Sequence, residues 1–337
     1  MTCGRNSVSF SIVIPVFNCE DYIQQSIQSV LQQNYQQFDI VVIDDGSYDS
    51  TPNIIQSMMD NNDKITFIKT KNSGTYNARL LGIKHAKGDY VLFLDADDEL
   101  RCDALAFLNS CLLNNPADML LYNCSQSSNY DELFYEYPFH NGKEFNDHNK
   151  NELFEVLCKG STLNNLATKC IKLELFNDVN LIAIDHFINA EDLYMSILLI
   201  SKAKSIRFVD EALYYYRENK TSATHCYNEY YFESISRANA LCVECISKRS
   251  VKLMFLTKQR ASRACVSAID NVLSSDLSNV KCAENIKTII DSDFFRRYFY
   301  FYSINSTRKY KLLFVLLLLP SLFSQQAFIG KLRSLLY

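Results

Sequence analysis

The 337 residues are 48% hydrophobic, enough for a full catalytic domain with an appendage and too apolar for wholesale disorder. A formal charge of −4 argues against a general nucleic-acid binder, so no nucleic-acid partner is expected. The 12 cysteines are scattered through apolar and helical patterns, which points to reduced thiols in a cytosolic protein and not to a secreted disulfide scaffold.

Met1 to Ser7 is polar and the first apolar run is short, so no secretory leader is expected. "SFSIVIPVF" (Ser9 to Phe17) is β-rich and gives way to turn chemistry at Asn18. "CEDYIQQSIQSVLQQ" then places Tyr22, Ile23, Ile27, Val30 and Leu31 on one helical face. "DIVVIDDGS" is a second strand closed by an Asp-Asp-Gly-Ser turn, and Ser50-Thr51-Pro52 opens another helix. "KITFIKT" predicts a third strand, "GTYNARLLGIKHA" a helix and "YVLFL" a fourth strand. Strands alternating with helices imply right-handed crossovers and an α/β fold with a mostly parallel, Rossmann-like sheet flanked by helices. Such sheets bind ligands beyond the carboxyl ends of their strands, where Asp44, Asp45, Asp95 and Asp97 all stand.

"GDYVLFLDADDEL" sets Asp95, Asp97, Asp98 and Glu99 directly after a buried strand. Their mutual repulsion is costly unless something positive sits beside them, and a bound cation is the first candidate. Asp95-Ala96-Asp97 offers hard oxygen ligands suited to Mg²⁺ or Mn²⁺, though the same residues also read as an acidic turn capping the next helix.

From Cys111 to Phe187 the pattern loosens, with the polar aromatic stretch "SSNYDELFYEYPFHNGKEFND". "AEDLYMSILLISKAKSIRFVDEALYYYRENKTSAT" predicts a helix, a short strand and a Tyr-rich extended segment. Beyond Tyr227 the chain is helical, with amphipathic runs around Ile235 to Ile246 and Leu253 to Leu273. Cys242 and Cys245 form a C-x-x-C with no second pair nearby; the default is two small helix residues, against a redox or zinc role. From Phe294 onward come seven basic residues (Arg296, Arg297, Arg308, Lys309, Lys311, Lys331, Arg333) and no Asp or Glu. The apolar run Leu312 to Leu319 is far short of the ~20 residues of a membrane span, and Pro320 ends it. Flanked by basic and aromatic residues, it suits an interfacial anchor on an anionic leaflet; the alternative is a buried C-terminal helix.

The stretches "SIVIPVFNCEDYIQQSIQSVLQQNYQQFDIVVIDDGSYDST" and "NSGTYNARLLGIKHAKGDYVLFLDADDEL" resemble the nucleotide-sugar-binding half of glycosyltransferase family 2, whose members have the GT-A fold and mostly invert the anomeric centre. The resemblance resumes at "NAEDLYMSILL" and "YYYRENKTSAT". It implies a GT-A domain over 1–220, with 1–110 the nucleotide-sugar half and 111–220 the acceptor half, followed by a helical region over 221–337. It further implies that Asp45 accepts a hydrogen bond from uracil N3–H, and that Pro15, Phe17, Asn18 and Glu20 line the base and ribose pocket. Asp95 would touch the ribose or the metal, Asp97 would coordinate the metal, and Ala96 lies between them. Arg79 would balance the acids or reach the nucleotide, or else form a helix-surface ion pair; Leu80 stands where the family commonly has Asn.

Asp192 matches the family's base position, with Glu191 orienting the acceptor or the helix terminus; an acidic first turn complementing the helix dipole is the other reading. Arg217, with Lys220, would meet the diphosphate on loop closure, although "YYYR" also reads as an edge strand. The expected partners are a nucleotide-sugar donor, a glycan or lipid-linked glycan acceptor, and the membrane surface through the tail. The expected location is cytoplasmic, peripheral to the inner face of the cell membrane. Two rivals stand beside this expectation. A sugar nucleotidyltransferase would want a Gly-rich basic loop after the first strand, which "PVFNCEDY" lacks. A catalytically inactive binding module would not need Asp45, Asp97 and Asp192 together.

Overall fold

A computed structural model describes residues 7–218, 227–301, 308–317, 322–323 and 326–336. The chain divides into two compact units. The first comprises Met1–Leu153, Ser161–His186 and Met195–Lys220, and the second Phe154–Gly160, Phe187–Tyr194 and Thr221–Tyr337.

The first unit opens with β1 (Phe10–Val16), α1 (Ile23–Leu31), β2 (Phe38–Asp44), α2 (Thr51–Met59), β3 (Ile65–Lys69), α3 (Thr75–His85) and β4 (Tyr90–Phe93). All seven residues of β1 are buried, as expected for a strand covered on both faces. β1 pairs in parallel with β2 on one side and β4 on the other, and β2 pairs in parallel with β3. The strand order therefore reverses at β1, and the chain leaving β1 and β4 opens onto one crevice at the carboxyl ends. Register puts Asp44 level with Val16, so Asp45 stands just past the sheet edge. Helix α3 sits close on β1 because residue 82 is glycine. A Cβ there would come 2.3 Å from Val13 Cγ1.

The rest of the sheet comes partly from the loosely patterned stretch and partly from the segments on either side of it. β5 (Glu99–Leu100), α4 (Ala104–Asn114), β6 (Met119–Ser125), β7 (Glu144–Phe145), α5 (Asn151–Lys159), β8 (Lys169–Lys172), α6 (Glu191–Lys202) and β9 (Ile206–Tyr215) follow in order. The sheet runs β3-β2-β1-β4-β8-β6-β9-β5, with β7 beside β9. β8 is antiparallel to both β4 and β6, while β6 and β9 are parallel, giving a mixed sheet around a parallel centre.

The second unit is helical: α7 (Tyr231–Ile246), α8 (Val251–Leu273), α9 (Asn279–Asp291), α10 (Asp293–Tyr298), α11 (Arg308–Leu317) and α12 (Gln326–Leu336). Ser250, Ser278 and Ser292 cap α8, α9 and α10 by accepting backbone N–H bonds, the ordinary helix-start chemistry of serine. The α8 arginines close the end of α5: Arg260 donates to the carbonyls of Leu157 (2.5 Å) and Gly160 (2.6 Å), and Arg263 to that of Cys158 (2.5 Å). Cys242 is fully buried, and its hydrogen bond with Cys158 holds the Cys158 thiol below its usual pKa. The described cysteines carry no disulfide.

Among the described residues no helix is long and apolar enough to cross a membrane. On α11, Leu313 and Leu317 are buried whereas Leu312 and Val315 are exposed. Arg333 of α12 donates to the carbonyls of Leu277 and Ser275, so this member of the basic tail is spent on the fold. Leu318, Leu319, Pro320 and Lys220, and the side chains of Arg308, Lys309 and Lys311, lie outside the described residues.

Candidate active site

The acidic loop after β4 is held in place by groups from three distant elements. Arg79 of α3, 3% exposed, ends on Asp95 with Nη2 2.9 Å from Oδ1. Its guanidinium lies 5.8 Å from the centre of the Phe93 ring, an arrangement that favours a buried cation. Of the two alternatives for Arg79, the ion pair is therefore real but buried, and its partner is an acid of the site. Leu80 and Ala96 are both buried apolar residues.

Asp98 turns inward. Its Oδ2 accepts the Tyr214 hydroxyl at 2.6 Å, and its Oδ1 accepts the Arg217 backbone N–H at 2.8 Å. Tyr214 is fully buried, and its hydroxyl oxygen also accepts the Asp95 N–H at 3.1 Å. Burial first, then the negative charges of Asp95 and Asp97, push the Asp98 carboxyl up to about 8, while its two hydrogen bonds pull the other way. Arg217 donates from Nε to the Asp97 carbonyl (2.9 Å) and from Nη2 to Gln25 (2.9 Å) and to the Glu99 carboxylate. The rings of Tyr22 and Tyr215 lie 5.2 and 5.5 Å from the guanidinium carbon. The positive charge that the acidic run demands thus comes in part from the chain itself, through Arg79 and Arg217.

Asp45, at the end of β2, faces the start of α3. Oδ1 accepts the Ser73 N–H (2.8 Å) and hydroxyl (3.1 Å), and Oδ2 accepts the Gly74 N–H (2.7 Å). The carboxylate therefore caps a helix N-terminus, where the backbone dipole favours negative charge. Three donors leave acceptor capacity on a carboxylate, which has about four lone-pair sites. Gly46 follows at φ +87°, and a Cβ there would lie 3.0 Å from the Asn72 nitrogen, so the turn requires glycine.

The loop leaving β1 completes the crevice. Pro15 is buried inside the strand, level with Ile43. Phe17 is 44% exposed and meets Tyr48 edge to face at 5.9 Å, leaving two aromatic rings at the surface of the mouth. Asn18, at φ +47°, accepts the Tyr48 N–H, and its own N–H goes to Ser47 Oγ. Glu20 accepts the Ser50 N–H at 2.8 Å, which ties the loop after β1 to the start of α2. Glu191 and Asp192 open α6 in the stretch that belongs to the second unit, and Glu191 accepts the Ala190 N–H at 2.9 Å.

Among the described residues no three His, Cys, Asp or Glu side chains are gathered as a ready-made metal cage. The donor chemistry still fits a shared site. Mg²⁺ is usually held by one or two carboxylates, with phosphate oxygens and water completing the shell. Asp97, with Asp95 beside it, provides such carboxylates. Asp98, Glu99, Tyr214 and Tyr48 make contacts in this region to which the motif alone assigned no role. The signal for Tyr214 lay in "YYYR", where alternation buries one tyrosine whose hydroxyl must find a partner.

Residues 11–166 match the Glycosyl transferase family 2 model. That segment is similar to a family 2 glycosyltransferase domain. Glycosyltransferase GlyA of Streptococcus pneumoniae is 24% identical over 67% of this chain and 33% of its own length. Glycosyltransferase GlyG of the same organism is 28% identical over 63% of this chain and 71% of its own. The chain thus spans about a third of the one relative and over two thirds of the other. Residues 1–349 of S. aureus TarS, solved in complex with UDP-GlcNAc, superpose with a TM-score of 0.62 at 18% identity, over 83% of this chain and 90% of that one. The likeness is one of fold: a mixed α/β sheet with a parallel centre, then helices.

Proposed function

We propose that the protein is an inverting glycosyltransferase that moves a sugar from a nucleoside-diphosphate sugar, UDP-linked, to a hydroxyl of a lipid-linked glycan in surface-polysaccharide synthesis. One observation carries the proposal: Asp45, the Asp95–Asp97 loop and the exposed Phe17–Tyr48 pair all follow the carboxyl ends of the neighbouring parallel strands β2, β4 and β1, where the strand order reverses. TarS, with a similar fold, was solved with UDP-GlcNAc, which supports the choice of UDP.

On this proposal Phe17 and Tyr48 flank the base, and Asp45 uses its remaining acceptor capacity for uracil N3–H. Asp97 and Asp95 would hold Mg²⁺ or Mn²⁺, which when bound neutralises charge on the departing diphosphate. Arg79 fixes Asp95 in position, and Arg217 fixes the backbone of Asp97 while standing near enough to the acids to favour an anionic ligand. Asp192 accepts the proton of the acceptor hydroxyl as its oxygen bonds to the anomeric carbon and the bond to the diphosphate breaks. Glu191 orients the start of α6. The exposed face of α11 and the basic tail hold the protein peripherally at the inner face of the cell membrane.

A donor screen tests the proposal: purified protein, Mn²⁺ or Mg²⁺, a panel of nucleotide sugars and an acceptor extract, with detection of released nucleoside diphosphate. Release from a UDP-sugar, dependent on the metal, is the expected result. Release from no member of the panel would overturn it.

A further inference from the structure

The second unit carries a cleft that none of the residues assigned above enters. It lies where the chain approaches α7 and faces α9, with a cavity of about 480 Å³. A neighbouring cavity of about 250 Å³ shares Tyr227, Asn228, Glu229 and Asn285 with it. The larger volume falls within the ~300–1,000 Å³ typical of small-molecule sites.

Its lining is set by hydrogen bonds within the unit. Asn285 Nδ2 donates to Tyr227 Oη at 2.8 Å, fixing the phenol against α9. Asn228 Oδ1 accepts the Tyr230 N–H at 2.9 Å, and its carbonyl accepts the Tyr231 N–H at 3.1 Å, which turns the aromatic run around the cleft. Tyr227 and Tyr230 are only partly buried, so each brings an aromatic ring to the lining of the cleft.

Charge narrows the ligand class. Glu229 and Glu284 line the cleft with Lys281 as the one cation among its described lining residues, an unfavourable balance for phosphates, nucleic acid or an anionic headgroup. A lipid tail would desolvate the amides and acids without replacing their hydrogen bonds. A neutral ligand rich in hydroxyls satisfies both features, laying C–H faces on the tyrosine rings while its hydroxyls pair with amide and carboxylate groups. We infer that this cleft is a binding site for neutral, polyhydroxylated glycan chains. The choice of glycan among such ligands rests on the transferase proposal; the chemistry of the cleft does not.

The test uses the full chain with three probes: cellohexaose, maltohexaose and N-acetylchitohexaose. Calorimetry and saturation-transfer NMR should show at least one of them binding. Tyr227→Ala and Asn285→Ala should each weaken that binding by about tenfold, whereas Tyr227→Phe keeps most of it. UDP affinity and melting temperature should stay unchanged in Asn285→Ala, which keeps the test valid if Tyr227→Ala unfolds. No binding of any probe at millimolar concentration would overturn the inference, as would binding indifferent to both variants. Donor turnover is read separately. Hexasaccharide binding without turnover would sink the transferase proposal and leave the cleft standing; turnover without binding would do the reverse.

Discussion

In the first unit Arg79 and Arg217 end on the carboxylates of Asp95 and Glu99, whereas in the second Arg260, Arg263 and Arg333 end on backbone carbonyls. The first arrangement offsets charge that the sheet has concentrated at its strand ends. The second satisfies acceptors left over where helices stop. The same side chain thus offsets an acidic loop in one setting and closes helices in another, and Arg207 of the first unit, donating to the Cys111 carbonyl, belongs with the second kind. Counting basic residues in a tail therefore overstates what remains for a lipid surface, because Arg333 is already occupied. Counting acids after β4 needs the same care, since burial first, and only then the charges of Asp95 and Asp97, raises the Asp98 carboxyl to about 8.

The comparison would break most visibly if an acid of the second unit proved to be catalytic. Asp192→Asn should slow transfer by about 10²–10⁴-fold, the usual worth of a positioned general base. UDP binding should persist, because a base contacts the acceptor and not the nucleotide. Calorimetry showing lost UDP affinity in this variant would remove Asp192 from the role. Within the first unit, Asp97→Asn should cost about 10²–10³ in rate with the fold intact, and excess chelator should reproduce that loss in the unaltered protein. Full activity in chelator would end the metal assignment. Asp45→Ala should weaken UDP binding and also destabilise by about 1–2 kcal/mol, since it strips the cap from the start of α3.

The parts that were legible in the sequence are those whose causes are local. Apolar runs followed by turn residues located β1, β2 and β4, and with them Asp45, Asp95 and Asp97 at their ends. The parts that were not legible depend on pairings across long separations. Tyr214 reaches Asp98 over 116 positions and Arg217 reaches Gln25 over 192, and no periodicity encodes either. β8 inserts antiparallel between β4 and β6 from a stretch without a clean alternation. Glu20 shows the same dependence on distant pairing, since its bond to the Ser50 N–H spans 30 positions. The unbroken apolar run of the tail likewise concealed two faces. Helical spacing turns Leu313 and Leu317 inward and leaves Leu312 and Val315 outside.

Stability sharpens the contrast between arginines that serve a site and arginines that close helices. Arg260→Ala would leave the Leu157 and Gly160 carbonyls without this donor, at about 1–3 kcal/mol, measurable as a lower denaturation midpoint. Arg260→Lys should recover only part of it, because an ammonium does not reproduce a planar fork. Gly82→Ala should cost a similar ~1–3 kcal/mol by forcing α3 off Val13, an effect of overpacking with no charge involved. An unchanged midpoint for Arg260→Ala would mean that its carbonyl contacts contribute nothing net, and the proposed division of labour would fail.

The smallest expected effect concerns the membrane. Leu313, Leu317, Phe323, Ile329 and Leu332 are buried in the second unit, so deleting the tail would damage the core as well as any anchor. Substitution at exposed positions avoids that confusion. Leu312 and Val315 are 37% and 58% exposed, and replacing both with Glu should leave the melting temperature almost unchanged. Binding to phosphatidylglycerol vesicles should weaken, because the change removes apolar contact and adds two charges that the anionic surface repels. Basic residues near such a surface contribute about 1 kcal/mol each, so the unaltered protein should bind reversibly and come off in part at high salt. Arg333→Ala should behave oppositely, lowering stability while sparing vesicle binding, since its guanidinium already serves the Leu277 and Ser275 carbonyls. Equal co-sedimentation of the unaltered and Leu312→Glu/Val315→Glu proteins would assign α11 to the core alone, and the tail's charge would then have no role at the membrane.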